Sequence, residues 1–326
     1  MRRLIPILIV AAGCAPAARP PEVPPVWRVL IGEYASHQDT VSILEDGGTL
    51  RLYRWHGNRS GLRSTTDSTL EIAGKAGLVA VRRGPDRRTL AIVVDGVEFT
   101  RLALGPDGGA TFRITPRRPV EELRQEALAA KPPVETGDFL PTDLVELARL
   151  DSTIRLDIRY ASTNNFMSTP MYSSARAFLQ RPAAEAVVRA QQWLRAQGYG
   201  LLIHDGYRPW YVTKMFWEAT PDPQRIFVAD PSKGSRHNRG CAVDLTLFDL
   251  RTGQAVEMTG GYDEMSPRSF PDYPGGTTRQ RWLRGLLRRA MEAQGFTVYE
   301  AEWWHFDYQD WNKYRIGTQT FEQVGQ

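Results

Sequence analysis

From Trp27 to Ile114 the chain reads as short apolar runs cut by turn formers, and after Pro119 helical periods interleave with strands. This switch of hydrophobic period constrains the fold most, because a period of two and a period of 3.6 cannot share one element. In the first part, residues 93–99 (Val-Val-Asp-Gly-Val-Glu-Phe) predict a hairpin, since Asp-Gly supplies the positive φ angles of a type I′ turn. Gly47-Gly48, Gly84-Pro85 and Asp107-Gly108-Gly109 mark further turns. Residues 27–118 are therefore expected to form a small all-β, barrel-like accessory domain.

Residues 119–141 read as a helical linker: Pro119 starts it, Leu123 and Ala127 stand four apart, and Pro132-Pro133 stops it. Residues 142–326 form the second domain. There Ile154, Leu156 and Ile158 alternate with Arg155, Asp157 and Arg159, which predicts a half-buried strand. Residues 182–197 predict a helix with Pro182 in its first turn, Val187, Ala190 and Leu194 on one face and Gly198 as its cap. Leu201-Leu202-Ile203 follows as a buried strand, and residues 279–294 repeat the helix pattern up to Gly295. Interleaved strands and helices make this domain α+β, and a chain of 326 residues accommodates both domains.

The first residues differ in kind. Met1-Arg2-Arg3 is basic, and Leu4 to Gly13 is apolar or small. That run is too short to span a bilayer but suits the core of an export signal. Residues 1–13 are read as a signal peptide and residues 14–26, with five prolines between Ala15 and Pro25, as a tether. Ala11-Ala12-Gly13-Cys14 resembles the lipobox of bacterial lipoproteins, which implies acylation of Cys14 and an exported, membrane-anchored protein facing the periplasm or cell envelope. Each buried methylene of such an anchor adds about 0.8 kcal/mol of membrane affinity. Cys241 is the other cysteine, so lipidation of Cys14 leaves no intrachain disulfide. The net charge of +4 is spread without a run of five basic residues, which gives no support for a nucleic-acid partner.

Three polar motifs carry the candidate chemistry. In Ser235-Arg236-His237-Asn238-Arg239-Gly240-Cys241-Ala242-Val243-Asp244, Asp244 opens an alternating apolar strand and His237 precedes it in a loop that Gly240 lets bend. Oxygen and nitrogen donors so placed suit Zn²⁺. Glu302-Trp303-Trp304-His305 offers a third ligand, His305, and a carboxylate three residues earlier. Three protein ligands leave a fourth zinc position for water, and Glu302 is the candidate base that takes its proton. Asp205-Gly206-Tyr207-Arg208-Pro209 follows a buried strand, and its arginine could stabilise a tetrahedral oxyanion. Each motif alone has a bland reading: a chance His–Asp pair, an aromatic core segment, a surface arginine.

Together, in order and spelling, the motifs resemble the VanX-type D-alanyl-D-alanine dipeptidases, members of the zinc D,D-peptidases. Ser235, His237, Gly240, Ala242 and Asp244 match the family's Ser-x-His-x-x-Gly-x-Ala-x-Asp; Glu302, Trp304 and His305 match its Glu-x-Trp-His. Asp-Gly-Tyr-Arg-Pro is present unchanged, and Tyr160-Ala161 with Asn165-Phe166 and Pro170 resembles an earlier family segment. The resemblance spans about residues 150–310 and implies a hedgehog/D,D-peptidase-like α+β fold. It also implies one zinc per chain held by His237, Asp244 and His305, with Glu302 as base and later proton donor, and Arg208 on the intermediate. Asp263, with Ser235 assisting, would then receive the free amine of a D-Ala-D-Ala-type dipeptide or peptidoglycan fragment. The β domain outside the match looks like lipocalin-like modules appended to some secreted hydrolases. Cys241 is read as a packed side chain and not a ligand, and Arg236 and Asn238, where serines are common, as residues that alter the rim. An exported enzyme meets wall fragments, which favours peptidoglycan turnover over antibiotic resistance. The alternatives are a D,D-carboxypeptidase or endopeptidase on longer wall peptides, a catalytically silent zinc-dependent wall binder, and a chain whose main function lies in the β module.

Overall fold

The computed structural model describes residues 18–54, 59–66, 68–103 and 111–324. Cys14 with the whole signal segment, and the expected turn at Asp107, Gly108 and Gly109, lie outside the described residues. A short helix, α1 (Pro25–Arg28), leads into eight antiparallel strands. These are β1 (Gly32–Ala35), β2 (Thr40–Asp46), β3 (Thr49–Arg54), β4 (Arg59–Thr66), β5 (Thr69–Ile72), β6 (Leu78–Arg83), β7 (Thr89–Val94) and β8 (Val97–Arg101).

The strands follow one another around a closed barrel, and β8 returns to β1 through Tyr34↔Arg101 and Ala35↔Thr100. Closure leaves no strand edge open for pairing with another chain. The period of two shows in β6, where Val79 and Val81 are buried while Leu78 and Ala80 are exposed. Tyr34, Ile43, Leu52, Leu70, Ile92 and Phe99 join Val79 in the barrel core. At the β7–β8 turn Asp95 and Gly96 take φ of 51° and 79°, the left-handed pair that the Asp-Gly signal predicts. The β pattern, expected to run to Ile114, has β8 as its last strand among the described residues, and residues 111–118 carry none. Phe112 and Ile114 pack against the C-terminal core, and the Ile114 N–H donates to the Phe166 carbonyl at 3.0 Å.

The C-terminal half begins with α2 (Val120–Ala129), then β9 (Leu144–Glu146), α3 (Leu147–Leu150), β10 (Arg155–Leu156), β11 (Phe178–Gln180), α4 (Arg181–Ala196) and β12 (Tyr199–Asp205). It continues through α5 (Trp210–Ala219), β13 (Ala242–Asp249), α6 (Thr278–Glu292), β14 (Phe296–Tyr299), β15 (Glu302–Tyr308) and α7 (Phe321–Val324). Five strands form one sheet in the order β10-β12-β13-β15-β14, antiparallel except for β10 with β12. The expected strand over 154–159 shrinks to Arg155–Leu156, because the chain turns into a 3₁₀ segment at Arg159–Ala161.

Helix α4 buries Ala183, Val187, Ala190 and Leu194 and is followed by Gly198 at φ 85°. Its buried Gln191 is satisfied, since Nε2 donates to the Thr153 carbonyl (3.1 Å) and Oε1 accepts from the Leu201 N–H (2.7 Å). Helix α6 starts at a capping box of Thr277 and Gln280 and buries Leu283, Leu286, Leu287, Ala290 and Met291. Emptying a fully buried site such as Leu287 to alanine costs about 2–5 kcal/mol. Strand β13, expected to alternate, is buried at every position, because α6 contacts one side and the loop carrying Tyr262 reaches it from the other. Among the described residues no helix is long and apolar enough to cross a membrane.

Candidate active site

Strand register builds the site. Asp205 pairs with Asp244 across β12–β13, and Asp244 pairs with His305 across β13–β15. Residues directly opposite one another share a face of the sheet, so the three side chains stand in one row across adjacent strands about 4.8 Å apart. His237 reaches the row from a 3₁₀ turn, His237–Arg239, that Gly240 ends at φ 68°. His237 Nε2, Asp244 Oδ1 and His305 Nδ1 then lie 3.0–3.2 Å from one another.

The outer nitrogen of each ring is occupied. His237 Nδ1 donates to the Gly206 carbonyl at 2.7 Å, and His305 Nε2 donates to Asp307 Oδ1 at 2.9 Å. Those bonds turn the lone pairs of His237 Nε2 and His305 Nδ1 inward, where they meet a carboxylate oxygen. Two inward ring nitrogens and a carboxylate oxygen, all buried and close to one another, fit a bound cation. Gly206 must be glycine for this arrangement, because a Cβ there would sit 2.7 Å from the Phe178 carbonyl oxygen.

Glu302 joins the cluster through an irregularity. Tyr299 pairs with Glu302 while Val298 pairs with Phe306, so residues 303–305 of β15 bulge with no partner on β14. Residues three apart on a regular strand would face opposite ways; the bulge re-aims them and sets Glu302 Oε2 3.7 Å from His305 Nδ1. Burial, reinforced by the Asp244 and Asp307 carboxylates, pushes Glu302 up to about 8 against the pull of His305 and Arg208.

Arg208 is buried, with Nε and Nη2 on Asp205 Oδ2 at 2.9 and 2.8 Å and Nη2 3.6 Å from Asp244 Oδ2. Burial opposes its charge, but Asp205 and the surrounding anionic groups outweigh that and hold the guanidinium protonated. It also lies over the rings of Phe216 and Tyr160 at 4.7 and 5.3 Å.

Asp263 sits at φ 59°, a left-handed conformation that Asp tolerates better than most residues. Its Oδ1 accepts from the Tyr160 hydroxyl at 2.9 Å, whereas its buried Oδ2 has no hydrogen-bond partner among the described residues. Burial, with the Asp244 charge adding, raises its carboxyl well above the usual range. The Ser235 hydroxyl accepts from the His237 N–H at 3.2 Å. One cavity of about 110 Å³ is lined by Asp263, Ser235, Arg208, Glu302 and the His237–Asp244–His305 cluster. The structure thus gathers every sequence-predicted site residue except Cys14, which lies outside the described residues.

Cys241 is packed, as expected: its thiol is buried, pushed up to about 12 by that burial, and outside the donor cluster. Asn238 corrects the expectation that it borders the rim. It is fully buried, donating from Nδ2 to the Arg208 carbonyl (2.8 Å) and Thr213 Oγ1 (2.9 Å), and accepting at Oδ1 from the Ser235 N–H (2.8 Å). It therefore ties two motifs together. Arg236 does line the cavity, partly exposed.

Four residues were missed: Asp205 as the holder of Arg208, Tyr160 on Asp263, Tyr262, whose hydroxyl donates to Asp244 Oδ2 at 3.0 Å, and Asp307. Asp307 was findable, since it lies two residues beyond His305 on the same strand face.

Residues 141–323 match a family model described as D-ala-D-ala dipeptidase, Peptidase M15. A D-alanyl-D-alanine dipeptidase of Escherichia coli (strain K12) is 37% identical over 166 residues, covering 51% of this chain and 84% of that protein. One from Enterococcus faecium is 34% identical over 175 residues, 48% of this chain and 87% of the relative. Another, from Streptomyces coelicolor, is 36% identical over 189 residues, 52% of this chain and 91% of its own length. The barrel lies before the matched residues. With the family model covering more than half of the chain and these relatives matched over most of their length, the protein belongs to the M15 peptidases of the D-Ala-D-Ala dipeptidase type.

Proposed function

We propose that the chain is a zinc dipeptidase that hydrolyses D-alanyl-D-alanine, or a closely related dipeptide, during peptidoglycan turnover. The observation that carries this reading is the buried Oδ2 of Asp263, without a hydrogen-bond partner among the described residues, in the same small cavity as the donor cluster and Glu302. A buried carboxyl oxygen left open calls for a polar partner from the ligand, and a substrate ammonium supplies a donor whose charge favours the ionised form of Asp263. A longer peptide has an amide there, without the charge, and its preceding residue has to fit a cavity of about 110 Å³.

His237 Nε2, Asp244 Oδ1 and His305 Nδ1 would hold the ion, a mixed nitrogen and oxygen set that suits zinc. Zinc bound there supplies Lewis-acid polarisation of the scissile carbonyl and lowers the pKa of an attacking water. Glu302 takes the proton from the water and passes it to the leaving amine, a task that suits a buried carboxyl beside the donor cluster. Arg208, fixed by Asp205, faces the developing oxyanion, and Asp263 with Ser235 anchors the amine. Export and acylation of Cys14 belong to the same reading, since they place the enzyme where wall fragments are released. Cys14→Ser should move the protein from the membrane to the soluble fraction, and continued tight attachment would refute the anchor.

The decisive assay measures free D-alanine released from D-alanyl-D-alanine, beside an amine-blocked tripeptide, with and without a chelator. Chelator-sensitive cleavage of the dipeptide alone supports the proposal. Cleavage of the blocked tripeptide would move the enzyme to the carboxypeptidases, and no cleavage of either would leave a binding protein.

A further inference from the structure

The loop between β13 and α6 carries Asp263, and its outer side is held by the barrel. Within the loop, Glu264 is fully buried: Oε2 accepts from the Gly261 N–H at 2.9 Å, and Oε1 accepts from Ser266 at 2.5 Å. Arg268 Nε stands 3.2 Å from Glu264 Oε1 and donates to the Thr259 carbonyl at 3.1 Å. These contacts fold residues 259–268 into a compact turn on either side of Asp263.

The barrel grips the end of that turn and the segment that follows it at two points. Glu33 of β1, 8% exposed, accepts a hydrogen bond from the Tyr273 hydroxyl and lies 3.7 Å from Arg268 Nη1. Glu45 of β2, 4% exposed, caps the start of α6: its Oε2 accepts from the Thr278 N–H at 2.7 Å and its Oε1 from the Thr278 hydroxyl at 3.1 Å. Around it the Glu45 N–H donates to the Gly276 carbonyl (3.0 Å), and Arg281 Nη2 donates to the Glu45 carbonyl (2.8 Å). A carboxylate at a helix N-terminus is favoured by the exposed N–H groups and the helix dipole.

Buried carboxylates are costly unless they are paired. Glu33 pairs with Tyr273 and Arg268 and Glu45 with Thr278, all in the segment 268–281, while Glu45 Oε1 also accepts from the Gly48 N–H of the barrel at 2.6 Å. A larger cleft of about 550 Å³ opens beside this junction, but arginines on its wall are already engaged, Arg19 by Asp249 and Arg159 by Asp157. The junction's chemistry is therefore that of a brace.

We infer that the barrel is a built-in brace for the amine-binding loop, with Glu33 and Glu45 as positioning residues that hold Asp263 at the substrate ammonium and so set preference for a free dipeptide. The inference rests on the reading of Asp263 as the amine anchor. The barrel acts on substrate discrimination without touching the substrate: loosening its grip lets the left-handed turn at Asp263 relax and weakens ammonium binding, while Asp244, Glu302 and His305 stay on the sheet and His237 and Arg208 on their own segments.

The test uses the full-length, zinc-loaded protein with Tyr273→Phe, Glu33→Ala, Glu33→Gln and Glu45→Ala, measuring kcat and KM for D-alanyl-D-alanine and for its N-acetyl derivative. Tyr273→Phe and Glu33→Ala should raise the dipeptide KM about tenfold, the scale of one lost charge-assisted hydrogen bond, with kcat within about threefold and zinc content unchanged. Preference over the N-acetyl compound should fall in parallel, and Glu33→Gln, which can still accept from Tyr273, should recover part of the loss. Asp263→Asn, run alongside, separates the two ideas. If Asp263→Asn raises the dipeptide KM but the brace variants keep wild-type KM and selectivity, the brace is refuted and the anchor stands. An unchanged KM in Asp263→Asn overturns the anchor, and the brace inference with it. Equal losses for both substrates in the brace variants would show a general structural role and also refute the inference. Tyr273→Phe removes one oxygen, so it keeps the test decisive should Glu33→Ala or Glu45→Ala fail to fold.

Discussion

Replacing Asp307 tests how the donor cluster is prepared for its cation. Asp307 Oδ1 accepts from His305 Nε2 at 2.9 Å, and the carboxylate side chain is only 14% exposed, so water screens this bond weakly. Burial opposes the Asp307 charge, yet His305 outweighs it and holds the carboxyl below its usual range. The bond fixes the proton on Nε2 and leaves Nδ1 as the inward donor; it also raises the basicity of the ring. Removing such a partner typically weakens metal binding about 10- to 100-fold, or about 1.4–2.7 kcal/mol at 1.36 kcal/mol per decade. Asp307→Asn keeps an acceptor oxygen of the same shape without the charge, so about tenfold is expected; Asp307→Ala, which leaves Nε2 without its partner, should approach a hundredfold. Competition between the metal-stripped protein and a chromogenic zinc chelator reads these shifts directly, with circular dichroism as the check on folding. Zinc affinities within twofold of wild type for both variants would refute the orienting role of Asp307 and the tautomer assignment built on it.

Two further outcomes follow from the site. Glu302→Gln should bind zinc with unchanged stoichiometry while turnover falls by about 10²–10⁴, the range for a lost general base; near-native turnover would remove Glu302 from the proton transfer. The raised carboxyl of Asp263 gives the dipeptide KM a direction in pH. Below its raised pKa Asp263 is neutral and cannot pair with an ammonium, so KM should fall as pH rises through that value, until the substrate amine deprotonates near about 8. Asp263→Asn should flatten the acidic side of the profile, and a slope that survives the substitution assigns it to another group.

What the sequence made legible was local. The Asp95-Gly96 turn, the helices beginning near Pro182 and Arg279 and the left-handed glycines 198, 240 and 295 are set by neighbouring residues, and each appears close to its expected place. The metal-site candidates were legible for another reason, the match of spaced motifs to a family, which says which residues matter without saying how they meet. Their meeting depends on strand register, with Asp205, Asp244 and His305 side by side on three strands, and on a bulge that turns Glu302 toward His305. Neither follows from spacing along the chain: His237 and His305 are 68 residues apart, and a regular strand would have pointed Glu302 away.

The same limit explains Asn238. Beside a site histidine in the sequence, it read as part of the rim, yet its amide joins the Ser235, Arg208 and Thr213 segments inside the protein. The barrel shows the limit most plainly. Glu33 and Tyr273 are 240 residues apart, and nothing in either neighbourhood predicts that one accepts the other's hydrogen bond. Two acids are buried where the barrel meets the segment 268–281, and a buried charge without a partner is destabilising. Tyr273 and Thr278 of the other domain supply those partners, which is why the accessory domain and the peptidase site have to be understood together.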